Sequence, residues 1–255
     1  MDLATIRDRL NERLAADEYA DVDASANGLQ VGPDEGDVGR AAVAVDAAEA
    51  TIETAVDRGA DLLVVHHGIS WGGFDRVTGR TYRHVDRLTE GDLALYAAHL
   101  PLDGHQRLGN AAGVSDLLGL EAREPFGELG PVHVGQRGRA SDPFERAALA
   151  STLDSHLDTD GRDVRVLDFG PERVEDVAIV TGSGTDWLDE AVDGGADALV
   201  TGEGKQQVYH EAREAGINVY LAGHYATETF GVRALADLLA DWGVETTFVD
   251  HPTGL

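Results

Sequence analysis

The chain has 255 residues, 42% of them hydrophobic, enough for one large domain or two interlocked ones with a real core. It carries 47 Asp and Glu against 20 Lys and Arg, a net charge of -27, which suits a high-salt cytoplasm and disfavours nucleic acid as a partner at low salt. Cysteine is absent, so disulfides, thiolate nucleophiles and sulfur-ligated zinc are excluded and any metal must be held by nitrogen and oxygen.

The first segment, MDLATIRDRLNERLAADEYADVD, reads as a charged amphipathic helix without the basic and apolar regions of a secretory signal. No apolar run approaches the ~20 residues that cross a bilayer. A cytoplasmic protein without membrane contact is expected. ANGLQVG (26–32) is a polar turn leading into a strand, in which Asn27 either hydrogen-bonds to a ligand or caps the turn.

An internal repeat organises the chain. Ala55–Val64 (AVDRGADLLV) matches Ala191–Val200 (AVDGGADALV) at eight of ten positions, 136 residues apart. Upstream of each lies a short apolar strand candidate, AAVAVD (41–46) and VAIVTG (177–182), so each copy reads as a strand–helix–strand unit. Gly59 and Gly195 stand where the helices should end. Two related, interlocked α/β halves are expected, about 1–125 and 126–255, with ligand-binding groups off the carboxyl ends of the strands. Within 126–176, GPVHVGQRG and RDVRVLDFG look like strands flanking the helix DPFERAALASTLDSHL, an insert that extends the second half's sheet.

VVHHGISWGG (64–73) is the sharpest local motif: two valines of a buried strand, then His66 and His67 where it ends. Neighbouring strand residues face opposite ways, but at a strand end the backbone can turn and two adjacent metals can each take one imidazole. Gly68 relieves crowding beside the ions, and Trp71 is either a core or interface anchor or the floor of a pocket for a flat base. LALYAAHLPLD (93–103) ends a strand with His99 and places Asp103 just beyond it, able to bind one ion or bridge two. His99 is either a ligand or, preferably, a partner that orients one. In the second half, INVYLAGHYATE (217–228) repeats the device with His224 and Glu228 at i and i+4, Glu228 being the candidate bridging carboxylate. TGE (201–203) occupies the place of Val65-His66-His67, so Glu203 is either a general base or a hydrogen-bonding orienter. His210, on the next helix, is a weaker candidate for the same cleft. No P-loop, GxGxxG or G-x-S-x-G elbow is present, nor a basic patch interleaved with aromatics.

Taken in order, NGLQVG, VVHHG, HLPLD, TGE, GHYATE and the closing TTFVDHP resemble the GTP cyclohydrolase 1 type 2 homologue family, also called Nif-three-like, in its short form without an inserted domain. That resemblance implies two α/β halves with a dinuclear metal site at their junction. The metal ligands it implies are His66, His67, Asp103, His224 and Glu228. It also implies a toroidal homohexamer, a trimer of dimers. Two divalent ions of Zn, Fe, Mn or Co type, held by five protein ligands with positions left for water, suit hydrolysis. The family activity would be opening of the imidazole ring of GTP with loss of formate, the metals activating water and Glu203 or His99 moving protons. Alternatives are a metal hydrolase with another substrate, or a metal-dependent ring scaffold that handles nucleic acid or binds a regulatory protein.

Overall fold

The computed structural model describes residues 1–255. The short apolar runs read from the sequence become parallel strands buried on both faces. In the first sheet β1 (Gly28–Val31), β2 (Arg40–Asp46), β3 (Leu62–His67) and β4 (Ala94–Ala97) lie side by side in the order β1-β4-β3-β2, β1 running antiparallel to β4 and the rest parallel. The second sheet holds β5 (Leu120–Leu129), β6 (Val132–Glu145), β7 (Arg165–Asp168), β8 (Arg173–Ile179), β9 (Ala198–Thr201) and β10 (Asn218–Leu221), in the order β5-β6-β8-β9-β10-β7. β11 (Glu245–Phe248) returns to the first sheet and pairs in parallel with β2. The helices are α1 (Leu3–Leu14), α2 (Glu49–Asp57), α3 (Gly79–Glu90), α4 (Leu100–Asp103), α5 (Asn110–Leu117), α6 (Arg146–His156), α7 (Leu188–Asp193), α8 (Val208–Ala215), α9 (His224–Thr227) and α10 (Thr229–Asp241). None is long and apolar enough to cross a membrane.

Both sheets contain the same four-stranded motif. In one it is β1-β4-β3-β2 and in the other β7-β10-β9-β8; in each, three parallel strands in sequential order carry an antiparallel strand that precedes them in the chain. The matched decapeptides are the hinge of this motif, and their identities have a physical reason. Gly59 and Gly195 take positive φ (66° and 76°) as the helix stops, and the next amides bond back to it, Ala60 to the Ala55 carbonyl and Ala196 to that of Ala191. Asp61 then accepts from the amides of Gly39 and Arg40, and Asp197 from those of Glu175 and Asp176. Each aspartate thereby fixes the start of one strand against the start of its neighbour. Each also takes part through its backbone carbonyl, which accepts from Ala94 or from Asn218 at the start of the third strand.

The chain forms two compact units, one of Met1–Leu102 with Gly231–His251, the other of Asp103–Phe230 with Pro252–Leu255. These bounds differ from the expected halves 1–125 and 126–255 for two reasons. The hairpin β5-β6 pairs with β8, which draws the chain after Leu102 into the second sheet, and β11 carries a late segment of the chain back to the first. In the first unit the core is built from Ala42, Ala44, Ile52, Leu63, Val65, Leu88 and Leu95; in the second from Leu149, Leu153, Val177, Ile179, Val200 and Tyr220. The opening amphipathic segment is α1, capped by Asp2 accepting from the Thr5 amide and burying Leu3, Ile6, Leu10 and Leu14 along one face. The 126–176 insert does extend the second sheet, through β6.

Because Asp61 and Asp197 do the same work, replacing either with Ala is expected to cost a similar amount, roughly 1–3 kcal/mol for two lost charge-assisted bonds. Urea unfolding of the two variants measures it.

Candidate metal centre

Parallel strands end together, and the first unit uses this to gather three imidazoles. β3 runs out at His66 and His67, and their rings, which regular strand geometry would send to opposite faces, lie with centroids 4.5 Å apart. His66 is fully buried, and its Nδ1 lies 3.0 Å from the Ala98 carbonyl. A carbonyl can only accept, so Nδ1 carries the proton and Nε2 keeps the lone pair. His67 is set the same way by Asp46, its register partner at the end of β2, whose Oδ1 lies 2.8 Å from Nδ1. His99 joins them: its ring sits 5.1 Å from that of His66 and 5.6 Å from that of His67, and a nitrogen of each of the three rings lies within 4.8 Å of the others.

The support beneath His99 was not legible in the sequence motifs. Asp23, its side chain 1% exposed, accepts from His99 Nδ1, Asn27 Nδ2 and the amides of Ser25 and Leu100. Burial alone would raise its pKa, but the bonds from His99, Asn27 and Ser25 outweigh it and hold the carboxyl below its ordinary range. Asn27 accepts from the His99 amide, so it positions the loop that carries His99. Trp71, 44% exposed, places its ring 4.9 Å from His99 and 5.9 Å from His67, a wall of the imidazole cluster rather than a core anchor. The reason for Gly68 differs from the expected one. A Cβ there would run into Gln30, which accepts from the amides of Ile69 and Ser70 and donates to the Ala26 carbonyl, locking the turn after the paired histidines.

In the second unit the carboxylates dominate. Asp103, at the end of α4, is buried and its Oδ1 accepts from Asn110 Nδ2 (2.8 Å) and Thr181 Oγ1 (3.1 Å). Glu228, between α9 and α10, is 3% exposed, and its Oε2 lies 3.3 Å from His224 Nε2. His224 Nδ1 faces Glu203 Oε1 at 3.0 Å, and Glu203 also accepts from Ser183 Oγ at 2.6 Å. Those bonds, from Ser183 and then His224, lower the Glu203 pKa and make this carboxylate the orienter of His224. Burial works against a charged His224, yet Glu228 and Glu203 push its pKa up to about 9, so its surroundings favour positive charge. Close packing here depends on Gly182, which has φ of 61°; a Cβ would strike the Glu228 carboxylate and crowd His224.

The expected echo between His99-x-x-x-Asp103 and His224-x-x-x-Glu228 slips by one residue. Tyr96 pairs with Val64 as Tyr220 pairs with Val200, and Ala98 and Ala222 make matching bonds to Val65 and Thr201. His99 therefore corresponds to Gly223; Asn27 accepts from the His99 amide, whereas that of Gly223 bonds to Gly202. Glu203 does correspond to His67. His210 belongs to none of these groups; it lies on α8 beside Tyr209, lining a separate cleft with Arg165 and Lys205.

The donors fit divalent cations by an observation independent of the motifs. Asp103 and Glu228 are the two acidic residues buried as whole residues, and a buried carboxylate is stabilised by positive charge beside it, which His224 supplies to Glu228 and a divalent cation would supply to either. Hard oxygen donors and imidazole nitrogens together suit Zn, Fe, Mn or Co.

Residues 1–254 match the family model described as Duf34/NIF3 (NGG1p interacting factor 3). A relative from Halobacterium salinarum called GTP cyclohydrolase 1 type 2 homolog is 59% identical over the full length of both chains, and one of the same name from Archaeoglobus fulgidus is 41% identical over the full length of both. Among solved structures, TTHA1606 from Thermus thermophilus superposes with a TM-score of 0.89 at 40% identity, and protein ybgI, described as of unknown function, with 0.91 at 36%; both are covered completely, as is this chain.

Gly182→Ala is expected to keep the fold, read by circular dichroism, while metal content after equilibration with Zn or Mn falls at least tenfold, the scale typical when the surroundings of metal ligands are disturbed. Unchanged metal content would show that the tight approach at Gly182 has no bearing on cation binding.

Proposed function

The chain belongs to the Duf34/NIF3 family, and from that premise we propose that it is a dinuclear metal-dependent hydrolase in which His66, His67, Asp103, His224 and Glu228 hold two divalent cations. One observation carries the reading: His66 and His67 each have Nδ1 against an acceptor (Ala98 carbonyl, Asp46), which leaves Nε2 as the donor nitrogen in both, while His224 is held between Glu203 and Glu228. The two buried carboxylates complete a set of nitrogen and oxygen donors. Divalent cations in such a set supply Lewis-acid polarisation and activation of water.

The protein's own side chains divide the remaining work. Asp46 holds His67 in a single tautomer, Glu203 and Glu228 hold His224 between them, and Asn110 and Thr181 hold Asp103. His99, with Nδ1 on Asp23, is positioned to move a proton through Nε2, and Trp71 shields it from bulk water on one side. The names of the relatives from Halobacterium salinarum and Archaeoglobus fulgidus favour a purine nucleotide as substrate, opened in its imidazole ring with release of formate. The same family reading carries a homohexamer, a trimer of dimers.

Protein loaded with Zn, Mn, Fe or Co, at molar KCl to screen its charge, is expected to release formate from GTP, and His66→Ala to lose that activity by at least a hundredfold. Formate release no greater than that of His66→Ala would remove the cyclohydrolase reading and leave a metal hydrolase of another substrate. Light scattering on the same samples should return six times the 27.1 kDa chain mass; a monomer or dimer would remove the hexamer.

A further inference from the structure

The segment after the paired histidines breaks the rules that the rest of the surface obeys. Six large apolar side chains are exposed in the whole chain, and four of them, Trp71, Phe74, Val77 and Tyr82, fall within twelve consecutive residues. Scattered singly they would mean little; concentrated, they mark a binding surface. Charge is inverted there as well. Residues 74–83 (FDRVTGRTYR) hold three arginines against one aspartate in a chain of net charge -27. Nearby, Arg83 pairs with Glu49 and Arg87 with Glu53. Arg76 makes no ion pair.

Trp71, Phe74 and Arg76 line one open cleft of about 670 Å³, together with Asp75 and Thr81. One of its walls, Trp71, is the ring that also packs against His67 and His99. Two exposed aromatic rings offer stacking faces for a flat heterocycle. An uncommitted guanidinium offers two parallel N–H donors to a phosphate, with the Thr81 hydroxyl as a further donor. Asp75 accepts from ring or ribose donors.

We propose that Trp71, Phe74 and Arg76 form a purine-nucleotide binding site beside His67 and His99, the aromatic pair stacking on the base and Arg76 taking the phosphate. This deepens the hydrolase reading, since it names the groups that would select the substrate of that centre, but it rests on a different set of side chains. None of the three is a metal ligand, and each is exposed, so their replacement leaves the core intact.

The test is calorimetric titration of the full chain, at fixed salt and with its metal content measured, using guanosine monophosphate and guanosine. Arg76→Ala is expected to weaken the nucleotide roughly tenfold and to leave the nucleoside unchanged, as loss of one charge-assisted phosphate contact requires. Trp71→Ala and Phe74→Ala should each weaken nucleotide and nucleoside alike, by roughly tenfold for a lost stacking partner. Metal content should stay at the parent level in Arg76→Ala and Phe74→Ala. The proposal is overturned if the parent binds neither probe, if the variants bind as the parent does, or if they change the sedimenting species instead of the affinity, which would make the patch a contact between copies of the chain. A parent that holds no metal yet shows this pattern would sink the hydrolase reading alone; a metal-loaded parent that ignores the nucleotide would sink this one alone.

Discussion

The candidate metal centre depends on the orientation of imidazole rings. A free histidine offers either nitrogen and turns about two bonds; here an acceptor beside Nδ1 removes that choice at His66, His67 and His99, and Glu203 with Glu228 fixes the ring of His224. The acceptors come from different places: a strand-end carbonyl, the last residue of the neighbouring strand, a carboxylate from the second copy of the repeat, and Asp23 before β1. What they share is position at the carboxyl ends of parallel strands, where backbone pairing stops and side chains can converge.

Duplication explains why so many polar groups can be fixed with so little extra structure. The hinge aspartates Asp61 and Asp197 make the same bonds in both sheets, so each copy inherits a rigid three-stranded frame. The frame is kept while its rim diverges. Where the first copy presents His67, the second presents Glu203, and a potential nitrogen donor becomes the acceptor that holds His224. The one-residue offset between His99 and His224 belongs to the same divergence, and in the first copy Asn27 accepts from the His99 amide.

Much of this was legible in the residues. The two strand–helix–strand repeats, the strand-end histidines, the His224/Glu228 pair and the correspondence of TGE with the first copy's VHH all follow from local pattern and spacing, and the fold has them. The supporting groups were not legible. Asp46 looked like the last residue of an ordinary strand and Asp23 like one surface acid among 47, because a carboxylate's burial depends on what folds over it. Knowledge that β2 lies next to β3 would have found Asp46, since register alone puts it opposite His67. Thr181 gave no signal of its reach to Asp103, 78 positions away. The expected boundary near 125 left out the return of β11 to the first sheet, because pairing with a distant strand leaves no mark on local periodicity.

The return of β11 to β2 sets an order on the making of the molecule. A ribosome releases β2 some two hundred residues before its parallel neighbour, so for most of that interval the apolar run AAVAVD has one flank of amides and carbonyls without a mate. The second sheet, by contrast, is contained within residues 120–221 and can close as soon as they emerge. The nascent chain therefore completes its later sheet first, and the sheet bearing the paired histidines is sealed by a strand made only afterwards.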